Sequence, residues 1–141
     1  MTSNSTVIVR DTGFAAEDWT TPFSPLAEAA PGSTAIDIPV ETDPDTIPLE
    51  GVQIIRIPFA SFADGRGFTL ARRLRLRGYQ GRLRAAGHVI ADQYAMARRA
   101  GFDEVEISAA LAARQPQDQW LARADWQAHD YQARLRGGLR G

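Results

Sequence analysis

Val52, Ile54, Ile55, Ile57 and Phe59 form a nearly continuous apolar run. A run of this kind suits a strand over residues 53–59 that is covered on both faces, as in a parallel sheet. It leads into Asp64-Gly65-Arg66-Gly67, a loop with a charge of each sign and two glycines, which opens an arginine-rich helix. In α/β proteins the loop leaving the C-terminal end of a strand is where sites are built.

The pattern continues downstream. Thr69 suits the N-cap of the helix, and Gly78 suits its C-terminal stop. Leu70, Ala71, Leu74 and Leu76 line the helix's apolar side, leaving Arg72, Arg73, Arg75 and Arg77 toward solvent. A short strand is expected over residues 83–87. A helix follows over 90–100, with Ile90, Tyr94 and Ala97 at helical spacing and Gly101 ending it, and then a strand over 105–107. This β–α–β–α–β order calls for right-handed crossovers and neighbouring parallel strands. The fold class expected is α/β, a small mostly parallel sheet flanked by helices, with a partial (β/α)-barrel as the alternative. Residues 35–40 add a further strand candidate, so the α/β core is placed at residues 35–114.

The flanks read differently. Residues 1–34 form an irregular lead-in: Val7-Ile8-Val9 could make an edge strand, but Pro22, Pro25 and Pro31-Gly32 interrupt any long element. Residues 115–141 are expected to hold a long C-terminal helix that ends at Gly137-Gly138. Its stripe of Trp120, Leu121, Ala124, Ala128, Tyr131 and Leu135 would pack on the core or on a partner, with a homodimer as one version of the contact.

Composition sets limits. The 141 residues suit one domain. With no cysteine, this chain supplies no disulfide, thiol nucleophile or protein-ligated iron–sulfur cluster. Any redox chemistry would have to come from a bound cofactor. No apolar stretch approaches a membrane span, and Met1-Thr2-Ser3-Asn4-Ser5 does not read as a signal peptide, so a cytoplasmic protein is expected. Net charge is −1 but unevenly spread. Residues 1–65 carry ten carboxylates and two arginines, whereas residues 66–100 carry nine arginines and one aspartate. All sixteen basic residues are arginine, whose planar fork grips carboxylates and phosphates in a way lysine cannot.

If the strands are parallel, Ser61–Gly67, His88–Asp92 and the vicinity of Ser108 share one sheet edge, and Asp64, Arg66, His88, Asp92 and Gln93 become the polar groups expected to converge. Gly65-Arg66-Gly67 before a helix can present backbone N–H groups to an anion, with Arg66, Arg72 or Arg73 adding charge-assisted bonds. The alternative is a tight turn in which Asp64 caps amides and pairs with Arg66. The loop lacks the lysine of a phosphate-binding loop and the third glycine of a dinucleotide fingerprint, so no cofactor is evident. His88 and Asp92 are the candidates for acid–base work, each with a structural alternative: a satisfied histidine and a helix cap. Two distant histidines without cysteine disfavour a metal site. The arginine block is not accompanied by a recognised nucleic-acid module; pairing with the acidic N-terminal third, or with a protein partner, is the more economical reading.

The motif Phe62-Ala63-Asp64-Gly65-Arg66-Gly67-Phe68 with Leu70-Ala71-Arg72 resembles the bacterial domain-of-unknown-function family 934. The likeness extends through Leu83-Arg84-Ala85-Ala86-Gly87, Val89-Ile90-Ala91-Asp92-Gln93 and Arg98-Arg99-Ala100-Gly101-Phe102-Asp103, with a weaker echo at Tyr131-Gln132. Relatives are usually labelled uncharacterised or probable oxidoreductase, and tend to be encoded beside the haem-bearing subunit of assimilatory sulfite reductase. Two departures stand out: His88 replaces a frequent acidic residue and Ala100 a frequent cysteine. The resemblance implies a place in sulfur assimilation. The function expected is an accessory protein that binds the sulfite reductase haemoprotein or its electron donor, with Arg66, Arg72 and Arg73 meeting an acidic surface. The alternative is a small oxidoreductase holding a flavin or nucleotide at the Asp64–Gly67 loop.

Overall fold

A computed structural model describes residues 6–29, 32–61 and 64–126. The strands are β1 (Thr6–Arg10), β2 (Gly13–Ala15), β3 (Ser24–Pro25), β4 (Ala35–Asp37), β5 (Ile54–Phe59), β6 (Arg82–Gly87) and β7 (Glu104–Ser108). They form one sheet in the order β2-β1-β7-β6-β5-β4-β3. From β3 to β7 every neighbour is parallel; β1 runs antiparallel to both β7 and β2. The fold is α/β with a mixed, mostly parallel sheet.

Helices α1 (Arg66–Leu76) and α2 (Tyr94–Ala100) make the crossovers from β5 to β6 and from β6 to β7. Two right-handed crossovers stepping the same way along a sheet put both helices on one face. The core shows it. Phe68, Leu70, Ala71 and Leu74 of α1 and Tyr94 and Ala97 of α2 pack with Ile55, Ile57, Phe59, Leu83, Ala85, Val105 and Ile107 of the strands. Because strand side chains alternate, Arg56, Arg82, Arg84, Glu104 and Glu106 stand on the opposite face.

The lead-in is more ordered than its prolines suggest. It supplies three of the seven strands, and β1 is an interior strand rather than an edge, paired on both sides. Its pairing with β7 depends on a partner about a hundred residues away, which no local pattern reveals. Helix α1 starts earlier than Thr69 suggests: Gly65 is its N-cap and Thr69 lies inside it. Gly78 follows the C-cap Arg77 with φ 97°, a left-handed conformation suited to glycine.

After β7 come α3 (Ala109–Arg114) and α4 (Gln117–Leu121). Trp120 is buried, edge-on to the Tyr94 ring at a centroid distance of 6.1 Å, and its Nε1 donates to the Gln115 carbonyl at 2.9 Å. Trp120 of the expected C-terminal stripe therefore packs on the body of the domain, whereas Leu121 is exposed and α4 ends there, so residues 122–126 do not continue the helix. Ala128, Tyr131, Leu135 and Gly137-Gly138, on which the rest of the long helix depends, lie outside the described residues, as do Phe62 and Ala63.

Candidate functional site

The parallel register aligns Phe59 with Gly87, and the His88 amide donates to the Phe59 carbonyl at 3.0 Å. Ser61, Asp64–Gly67, His88–Asp92 and Ser108 thus lie along one sheet edge. Since strand order from β3 to β7 never reverses, no switch point opens a crevice among these parallel strands.

The polar groups on this edge are engaged in separate local contacts. Asp64 Oδ1 accepts from the Arg66 amide at 3.1 Å and from Arg66 Nε at 2.9 Å, while Oδ2 accepts from Nη2 at 2.8 Å. The Arg66 side-chain bonds, then its amide, hold the Asp64 carboxyl down at about 2. Gly67 is needed for packing: a Cβ there would sit 2.3 Å from Phe59 Cζ. Gly65 has open space in place of a Cβ. Asp92 pairs with Arg123 at 2.7 Å, and Gln93 Oε1 accepts from the Ile90 amide at 3.0 Å. His88 is exposed. Ser108 Oγ caps α3 by accepting from the Leu111 amide.

The candidate arginines separate into two places. Arg66 and Arg73 line one groove of ≈390 Å³ with Val40, Glu41, Pro44 and Leu70, and Arg73 pairs with Asp45 at 3.3 Å. Arg72 lines a different groove, ≈230 Å³, with Phe68, Thr69, Met96, Arg99 and Ala100. Much of the arginine block turns inward. Arg75 bonds the carbonyls of Tyr79, Gly81 and Gly101 and pairs with Asp103. Arg77 bonds those of Pro44 and Ile47, and Arg98 pairs with Asp11.

The largest charged constellation is one that sequence reasoning missed, on the sheet face opposite the helices. Arg84 is fully buried; its Nε donates to Glu104 at 2.7 Å and Nη1 to Glu106 at 3.0 Å. Arg82 and Arg10 also bond Glu104, at 2.6 and 3.0 Å. Arg56 bridges Asp37 at 2.6 Å to Glu106 at 3.2 Å. From the lead-in, Glu17 meets the Arg84 fork with two bonds of 2.6 and 2.8 Å. Burial pulls the Arg84 pKa down, but bonds and charges from Glu17 and Glu104 outweigh it and raise the value. Burial likewise pushes the Glu17 carboxyl up, while Arg84 and the Trp19 amide bring it below its ordinary value. A usable signal was present: Arg82-x-Arg84 and Glu104-x-Glu106 place like charges on one strand face, with apolar residues between them. Among the described residues no group of three His, Cys, Asp or Glu is placed to hold a metal ion.

A model of the family described as a bacterial protein of unknown function, DUF934, matches residues 35–138. The chain belongs to the DUF934 family. The match takes in the Asp64–Gly67 loop, both crossover helices and strands β4 to β7. No match was found among curated proteins or among solved structures.

Proposed function

We propose that this DUF934 protein works by contact, as an accessory factor of assimilatory sulfite reduction that binds the sulfite reductase haemoprotein or its electron donor in the cytoplasm. The observation that carries the contact reading is the outer face of α1 and α2. Within the arginine block, the Arg72 side chain makes no ion pair or hydrogen bond among the described residues. One helical turn on, Leu76 is 72% exposed, and Met96 of α2 is 53% exposed beside Arg72 in the same groove. Leu76 and Met96 are two of the three large apolar side chains exposed among the described residues.

A cation flanked by exposed apolar groups suits a partner whose surface combines carboxylates with apolar side chains: the charges steer and orient, and the apolar contact holds. The pathway itself is supplied by the family resemblance. Arg72 is the foremost contact residue in this reading, since Arg66 and Arg73 are already paired with Asp64 and Asp45.

The enzyme alternative, with a flavin or nucleotide phosphate at the Asp64–Gly67 loop and protons moved by His88 or Asp92, has less geometric support. A phosphate seated there would meet the Asp64 carboxylate, which already takes the Arg66 amide. The test is size-exclusion chromatography of the protein with and without the haemoprotein, recording absorbance across the visible range. Co-elution of a colourless small protein supports the contact reading. Separate elution with a flavin or nucleotide spectrum supports the enzyme.

A further inference from the structure

The polar sheet face has a cover. Residues 16–23 leave β2 at one end of the sheet and reach β3 at the other, crossing the face without regular structure. Six inter-strand spacings amount to about 29 Å, and nine extended residue steps reach about 30 Å, so the segment crosses nearly straight. Its ion pairs and ring contacts with the sheet are with arginines. Glu17 forks onto Arg84, and Asp18 pairs with Arg10 at 2.9 Å and Arg82 at 3.0 Å. The Trp19 ring lies 5.9 Å from the Arg82 guanidinium carbon, and Phe23 stacks on Arg56 at 4.0 Å.

Three features favour an exchangeable cover. On the sheet itself, Arg10, Arg56, Arg82 and Arg84 face Asp37, Glu104 and Glu106, which leaves one positive charge without the cover. Among the described residues the buried Trp19 Nε1 has no hydrogen-bond partner, so its donor is unmet there. The anchor at the far end, β3, is only two residues long, paired at Ser24 to Ile36 and Pro25 to Asp37.

We propose that this arginine face is a docking site for an acidic, aromatic-bearing peptide segment of a partner protein, and that residues 16–23 occupy it as an intramolecular stand-in. Release starts at β3, swings the segment away and presents the fork of Arg84 with Arg82, Arg10 and Arg56 to incoming carboxylates. A bidentate arginine fork suits a carboxylate, and Arg56 offers its face to an aromatic ring. The site is separate from the α1–α2 face, so it stands or falls independently of the sulfite reductase reading.

The test uses a fluorescein-labelled peptide with the sequence of residues 16–24, titrated onto the full chain as wild type and as Glu17→Gln/Asp18→Asn. The expected result is at least tenfold tighter binding to the double variant, weakened by salt and lost on adding Arg82→Ala. Equal binding to both proteins overturns the proposal, as does equal binding of a peptide with both acids neutralised. If the double variant does not fold, hydrogen exchange on the wild type decides. Excess peptide should speed exchange in residues 16–23 while β5 to β7 stay protected, and unchanged exchange with peptide bound overturns the proposal. Concentration-dependent dimers that exclude the peptide would assign the face to a second copy of the chain and overturn it as well.

Discussion

Arg84 is a charged residue wholly enclosed by its partners, offering nothing to solvent. Its guanidinium meets Glu17, Glu104 and Glu106 with no exposure of its own. Removing one partner of such a network strands the others, at a cost of about 3–5 kcal/mol. Arg84→Ala should therefore lower unfolding stability by that order in urea titration, whereas Arg72→Ala, on an exposed helix face, should stay within about 0.5 kcal/mol. Asp64 gives a second prediction at this scale. Its folded pKa of about 2 lies below the ordinary carboxylate value, so its contribution is present above the unfolded value and fades as pH falls toward 2. Carbon-detected NMR should place its midpoint near 2 and raise it toward the ordinary value of about 3.9 in Arg66→Ala, short of it because the residue-66 amide still donates. Tyr79 works in the opposite direction. Burial raises its phenol to about 12, so the stability it contributes is complete below the unfolded value of about 10 and is lost as pH climbs from 10 to 12. Phenolate absorbance should show that late titration.

At the scale of elements, β5 and α1 are joined by contact as well as by sequence. Gly67 lies on the Phe59 ring, which is itself 5.1 Å from the Phe68 ring. Gly67→Ala would gain about 1 kcal/mol of helix propensity but force the Phe59 ring aside, an overpacking cost of about 1–3 kcal/mol, so net destabilisation is expected in thermal unfolding. The strands and crossovers from β4 to β7 were legible because apolar alternation, glycine stops and their order are local signals. The antiparallel pairing of β1 with β7 was not, since it depends on the two ends of the chain meeting. The candidate site was legible as a sheet edge, because strand direction fixes which loops share it. Its internal pairing was not: Asp92 with Arg123 and Arg73 with Asp45 are tertiary contacts between residues about thirty apart. The charged face was half visible, in the period-two arginines and glutamates, but its cover came from a segment whose prolines read only as interruption.

For the whole molecule, the lopsided charge of the sequence resolves largely into internal pairing. Acidic residues of the lead-in reach the arginine block through Glu17 and Arg84, Asp18 and Arg82, and Asp11 and Arg98. Among what stays outward is a small mixed face on α1 and α2, and the proposed function rests on it. The most direct measurement is the affinity of the full chain for the sulfite reductase haemoprotein at low and moderate salt, wild type against Arg72→Glu. The contact account predicts a complex that salt weakens and that the charge reversal weakens at least tenfold with the fold intact. No complex at low salt, or equal affinity for the folded variant, would contradict it.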